Sequence, residues 1–473
     1  MIAPPPATPP APGSPRVPAD LPAIGPVPDL RLSRPVRLEL AGGTRAVIVA
    51  HPTVPRIELR LTLAAGDARA TVPGSSELLG RTLLAGTTRR DGATLARALQ
   101  KIGADLHVSQ DSDVCVLSGS VLRDHEAALY ELVAEVVTEA AFPNDELLLE
   151  RGRLAEHLRM ARATPHFPAH ETIRAQLYGA HPYGRPTPTE SQVRRCGPAA
   201  VRRLHQDGFG PLDAHLTVVG DVEPRRTAQR LRVAFGDWHG RRHSWRLPQV
   251  RHRPPSAITL IDRPEAVQTA CVLAAGAPPL GHPDHLPLLL ATAILGGGGP
   301  SRLMLNLRER HGYTYNPFAM TDSHLGDTLV LCGADVRCEV TAPALVEILY
   351  ELGRLATTLV DPDELEGAQR YLAGTRVIAV QTQAGVAGSL ASAALHGQDH
   401  RYLETFARRA RAVTAADVRQ VAARYLAPSR IHVVLVGPAD AVAADVAALA
   451  PVTVRRGAAR GSATRQRTGR GRR

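Results

Sequence analysis

Apolar positions along the chain change period several times, and each change marks an element. In GSSELLGRTLLAGTT, residues 74–88, Leu78, Leu79, Leu83 and Leu84 gather on one side of a helical turn and predict a short amphipathic helix. IELRLTLAAGDA at 57–68 predicts a strand leading into that helix. QTACVLAAGAPP at 268–279 has the same form, with Ala274-Ala275-Gly276 standing where the first stretch has Ala64-Ala65-Gly66. VRRLHQDGFGPLDAHLTVVG at 201–220 reads as a helix, a short connection and a buried strand ending in Gly. VRQVAARYLAPSRIHVVLVG at 418–437 repeats it, Val201 matching Val418 and Gly220 matching Gly437.

A repeat of about 210 residues is far longer than a solenoid unit, so it predicts two homologous α+β domains. Each is expected to be an antiparallel sheet packed by helices. The first spans 31–240 and the second 257–450. The polar, proline-punctuated stretch at 241–256 reads as a linker. Residues 1–30 form a Pro-rich lead-in, and residues 451–473 an Arg-rich tail, both expected to be disordered.

Composition changes this picture little. With 44% hydrophobic and 21% charged residues the body is globular. The net charge of +11 falls to +3 without the eight arginines of VRRGAARGSATRQRTGRGRR, so the basicity belongs to the tail. No aromatic residue interleaves with those arginines, and no nucleic-acid partner is expected. Five scattered cysteines without a C-x-x-C fit a reduced, cytoplasmic chain. The N-terminus has no signal-peptide pattern, and no run approaches a membrane span.

Three stretches carry a resemblance. They are GGTRAVIVAHPTVPRIELRLTLAAGDARA near the start, YGAHPYGRPT at 178–187, and LGGGGPSRLMLNLRERHGYTYNP at 295–317. In order and spacing the chain resembles the insulinase/pitrilysin-type zinc metallopeptidases, in their processing-peptidase branch. The resemblance implies a clamshell of which this chain forms one half. Active members carry H-x-x-E-H on a helix of the first half: two His one turn apart hold zinc, and the Glu serves as base. Here the ligand positions fall on Glu77 and Arg81, the base position on Gly80, and the later ligand on His157. Arg81 has no lone pair to offer a metal, and Gly80 offers no base. Glu77 and Arg81 are expected to pair as acid and base at i and i+4. No catalytic residue and no zinc are therefore expected in this chain. His166, His170 and Glu171 cluster too, but Pro165 and Pro168 argue against a shared helical face.

The family's second half contributes an Arg and a Tyr to substrate binding, and the pattern falls on Arg308 and Tyr315, with Arg302 and Glu309 structural. The run Gly296–Gly299 lacks the Lys-Ser/Thr ending of a phosphate loop and reads as a turn. The resemblance thus implies a non-catalytic subunit that binds peptides beside a paralogous zinc-bearing partner, with no membrane partner. The alternatives are a peptide-binding or structural scaffold with no peptidase partner, and a divergent standalone metalloendopeptidase.

Overall fold

Among the described residues, twelve strands divide into two six-stranded sheets with matching internal order. A computed structural model describes residues 25, 27, 28, 30–239 and 246–456. Most of the expected lead-in, most of the tail and the first part of the linker lie outside the described residues.

The first half contains β1 (Val36–Glu39), β2 (Arg45–Ala50), β3 (Arg56–Leu63), β4 (Asp105–Gln110), β5 (Cys115–Leu122) and β6 (His215–Gly220). Its helices are α1 (Ser75–Thr82), α2 (Gly92–Lys101), α3 (Glu126–Glu139), α4 (Asn144–Ala163), α5 (His166–Tyr178), α6 (Glu190–Arg195), α7 (Pro198–Gly208) and α8 (Pro224–Ala234). The second half contains β7 (Ile258–Asp262), β8 (Gln268–Ala277), β9 (Phe318–Ser323), β10 (Thr328–Arg337), β11 (His432–Gly437) and β12 (Val452–Arg456). Its helices are α9 (His285–Gly296), α10 (Thr341–Thr357), α11 (Pro362–Ala379), α12 (Gln383–Leu395), α13 (His400–Arg411), α14 (Ala415–Val421) and α15 (Ala439–Ala447).

The sheets run β1-β2-β6-β3-β5-β4 and β12-β7-β11-β8-β10-β9. The two stretches matched by their Ala-Ala-Gly, β3 and β8, hold the same place in each, and so do β6 and β11. Each sheet is mixed rather than purely antiparallel: β2 pairs β6 in parallel, as β7 pairs β11 and β12. The helical crossovers between them explain the parallel pairs. The second domain also runs past residue 450. Val452–Arg456 adds β12 beside β7, in register from Val452 opposite Ile258. The first residues of the stretch read as a disordered tail are therefore a strand.

One face of the first sheet packs on α1 and α3, around Leu59, Leu61, Leu78, Leu79, Leu83 and Tyr130. One face of the second packs on α9 and α10, which α14 covers in turn. Each half then lends a 13-residue helix to the other. Helix α12 lies on β3 and β6 of the first sheet, and α5 lies on β8 and β11 of the second. Gln383 at the start of α12 donates to the carbonyls of His51 and Val54. Along α5, residues at i, i+4, i+8 and i+12 face the second half. His166 meets Asp335 at 3.0 Å, Arg174 meets Asp322 at 2.7 Å, and the Tyr178 hydroxyl donates to Asp327 at 2.7 Å. This exchange makes the two halves one body.

The described part of the linker is laid against that junction. Leu247 and Val250 pack into the same cluster as Tyr178, Tyr183 and Leu329. In the YGAHPYGRPT loop, the Tyr183 hydroxyl donates to Asp113 of the first half at 2.6 Å and accepts from the amide of Gly326 in the second. Among the described residues no single helix is long and apolar enough to cross a membrane.

Candidate functional site

Helix α1 begins after Gly74, whose φ of 84° turns the chain into it, and Leu78, Leu79 and Leu83 seat it in the core. That packing sets where the other side chains go. Arg81 reaches across to α4, and its Nη1 lies 3.5 Å from Glu150 Oε2. Glu150 also holds Arg153 at 2.6 Å. The expected Glu77–Arg81 ion pair is not formed. Glu77, one turn earlier, points inward instead, and its Oε2 is buried without a hydrogen-bond partner. Burial, and then the charge of Asp67, raise its carboxyl above the ordinary range, against a smaller pull from Arg81.

At Gly80, the expected base position, the space beside the helix is taken by another element. A Cβ on Gly80 would sit 3.2 Å from Gln110 Cβ. Gln110, at the end of β4, donates through Nε2 to Ser76 Oγ at 2.7 Å and to the Ala65 carbonyl. His157 is exposed on α4. The α4 residue that pairs with Arg81 is Glu150, which sequence reasoning passed over; its seven-residue spacing from His157 was the available signal.

As donors these side chains do not suit a zinc ion. Arg81 is a fixed cation held by Glu150, Gly80 has no side chain, and Glu77 brings a single carboxyl beside a packed glutamine. The histidines of α5 do share a helical face, contrary to expectation. Pro168 falls in the first turn, where its missing N–H costs nothing, and α5 runs through it. The rings of His166 and His170 lie 6.1 Å apart. His166 is committed to Asp335, and Glu171 accepts from the Thr187 amide. Among the described residues no group of three or more His, Cys, Asp or Glu could hold a metal.

Arg308 and Tyr315 do come together. A π-helical turn, Met304–Arg310, presents Arg308, and its guanidinium carbon stands 4.7 Å from the centre of the Tyr315 ring. Tyr315 is 79% exposed and lies in the loop before β9. The frame beneath is rigid. Leu303 and Leu307 are fully buried, Asn306 donates to Glu347 and Glu351, and Arg302 makes a two-pronged pair with Glu364 at 2.7 Å. Arg302 is structural, as expected, whereas exposed Glu309 pairs with Arg308 at 3.3 Å. The Gly296–Gly299 run closes α9 as a turn. No hydrogen bond, ion pair or ring contact among the described residues joins Arg308 or Tyr315 to Glu77, Arg81 or His157.

Two family descriptions match in tandem: "Insulinase (Peptidase family M16)" over residues 45–190 and "Peptidase M16 inactive domain" over residues 196–372. The chain belongs to the insulinase family. This M16 chain is 26% identical over 418 residues to an uncharacterized zinc protease of Mycobacterium tuberculosis, covering 85% of this chain and 93% of that one. It is 20% identical over 349 residues to one of Bacillus subtilis, covering 73% and 84%. Its fold matches the crystal structure of a peptidase M16 inactive domain from Pseudomonas fluorescens, with a TM-score of 0.80 at 23% identity over 86% of this chain and 98% of that one. A protease from Helicobacter pylori gives 0.78 at 19% identity, covering 86% and 100%.

Proposed function

We propose that this M16 chain is a pseudo-peptidase: the non-catalytic subunit of a two-chain zinc peptidase, holding no catalytic zinc of its own. It would enclose one side of a chamber and position peptides for a zinc-bearing paralogue. The observation that carries the reading is the state of α1. Arg81, where the family motif has its second histidine, is committed to Glu150, and Gln110 packs where the base would project. A fixed guanidinium at that place opposes a divalent cation by charge and gives it no lone pair.

Arg308 and Tyr315 supply the chain's own part of the work. The exposed guanidinium can donate to a backbone carbonyl of a bound peptide, and to the oxygen on which negative charge grows during attack. The Tyr315 ring beneath it and the exposed Glu309 beside it hold the cation in place. We place the assembly in the cytoplasm, because all five cysteines are free and four are buried.

Co-expression with a paralogue bearing an intact H-x-x-E-H, followed by size-exclusion chromatography, tests the partnership. A stable one-to-one complex is expected. A chain that elutes alone at micromolar concentrations with every such paralogue of its genome would leave the scaffold reading in its place.

A further inference from the structure

A cavity of about 460 Å³ opens where three parts of the chain meet. Its lining comes from the end of α5, from the linker at His252–Pro255, and from the turn that carries Arg424, Tyr425, Ser429 and Arg430. Four of these side chains are basic. Arg424 shares Asp284 with the Tyr425 hydroxyl, each at 2.8 Å, and His252 meets Asp327 at 2.9 Å. Arg253 and Arg430 have no acidic partner among the described residues. The pocket therefore keeps two uncompensated guanidinium groups.

Arg253 is also held in advance of any ligand. Its amide donates to the Leu177 carbonyl at 2.9 Å, and its carbonyl accepts from His432 at 3.1 Å. Its guanidinium lies against Gly179, where a Cβ would come within 2.3 Å of Nε. Gly276 gives way in the same manner to the His252 ring, at 2.2 Å from Nε2. Two glycines thus leave room for two basic side chains at the pocket wall. The amide and carbonyl bonds of Arg253 fix the backbone from which its side chain extends.

We infer that this junction pocket binds a small phosphate-bearing anion. Planar guanidinium forks brought to one pocket by separate elements suit a phosphate group, whose several oxygens and higher charge can engage more than one fork at once. The volume suits a molecule of pyrophosphate to mononucleotide size. The ligand would bridge α5, the linker and the second half, so its binding would stabilise the junction.

Isothermal titration of the full chain with pyrophosphate tests this. One saturable site per chain is expected, weakening as salt rises. Arg253→Ala and Arg430→Ala should each weaken it about tenfold. Arg430→Glu, on an exposed turn, should abolish it with the fold intact by circular dichroism. The Arg-rich C-terminal stretch remains in every variant. Binding that persists in the double alanine variant would assign the anion to that stretch and overturn the inference, as would the absence of saturable binding. Citrate binding as tightly as pyrophosphate would overturn the phosphate assignment.

Discussion

Cutting the bond between Tyr178 and Asp327 tests whether the exchanged helix α5 ties the two halves into one body. Both side chains are almost fully buried, at 3% and 2% exposure. Tyr178→Phe removes the hydroxyl and leaves Asp327 with His252 as its remaining side-chain donor. A hydrogen bond to a charged group is worth about 1.5–3 kcal/mol. Asp327→Ala leaves the Tyr178 hydroxyl buried without an acceptor, at a cost of about 1–3 kcal/mol, and adds the half-exposed His252 contact at up to about 1 kcal/mol. Because the two halves unfold together as a body of about 420 residues, each variant should lower Tm by roughly 1–5 °C. The two losses share one bond, so the double variant should cost less than their sum by about 1–2 kcal/mol. Calorimetry should show one transition in the parent and a broadened or split one in Asp327→Ala. Additive losses, or a transition that keeps its shape, would refute the claim that this contact couples the halves.

Three further outcomes follow from the charged groups. Glu77 has a carboxyl raised by folding, so its ionisation costs stability as pH rises through its folded value, and the cost vanishes below the unfolded one. Glu77→Gln should therefore raise Tm at pH 7 and leave it unchanged near pH 4, as thermal melts at the two pH values will show. His324 is pulled down by burial, but the hydrogen bond and charge of Asp322 and the charge of Asp113 outweigh this and leave it above the ordinary histidine value. Its stabilisation is complete below its unfolded value of 6.5 and is lost as pH rises through the folded one; Asp322, held down to about 2 by His324 and Arg174, keeps its own share until strongly acid pH. His324→Gln should flatten the decline of stability above pH 6.5. Arg81→Ala, which breaks a partly exposed pair, should cost at most about 1 kcal/mol in denaturant unfolding, as for other surface ion pairs.

The repeat was legible because buried strands and their flanking helices keep their apolar pattern: β6 and β11 read alike from Val201 and Val418 onward. The exchange of α5 and α12 was not legible, since the period of a 13-residue helix does not say which sheet it covers. Strand β12 was hidden by its own arginines. Arg456 faces Asp262 at 3.9 Å and Asp440 at 3.5 Å, contacts that exist only after folding. At the candidate site the changed residues could be read directly, but their pairing could not. Glu77 and Arg81 have the right spacing for an ion pair, yet α1 buries one and turns the other to Glu150 on a helix far along the chain. The junction built from Tyr183, Asp113 and His324 joins residues from three distant stretches and left no local signal.

As proposed above, this insulinase-family chain contributes substrate-binding residues and no zinc centre. The most direct test measures zinc per chain and peptide cleavage for the purified protein, for its zinc-bearing paralogue and for the two together. Substoichiometric zinc and no cleavage are expected of this chain alone. Cleavage should appear with the partner and fall at least about tenfold on Arg308→Ala or Tyr315→Ala, as when one oxyanion-stabilising donor is removed. One zinc per chain, with cleavage by this chain alone that is lost on changing Glu77 or His157, would contradict this proposal.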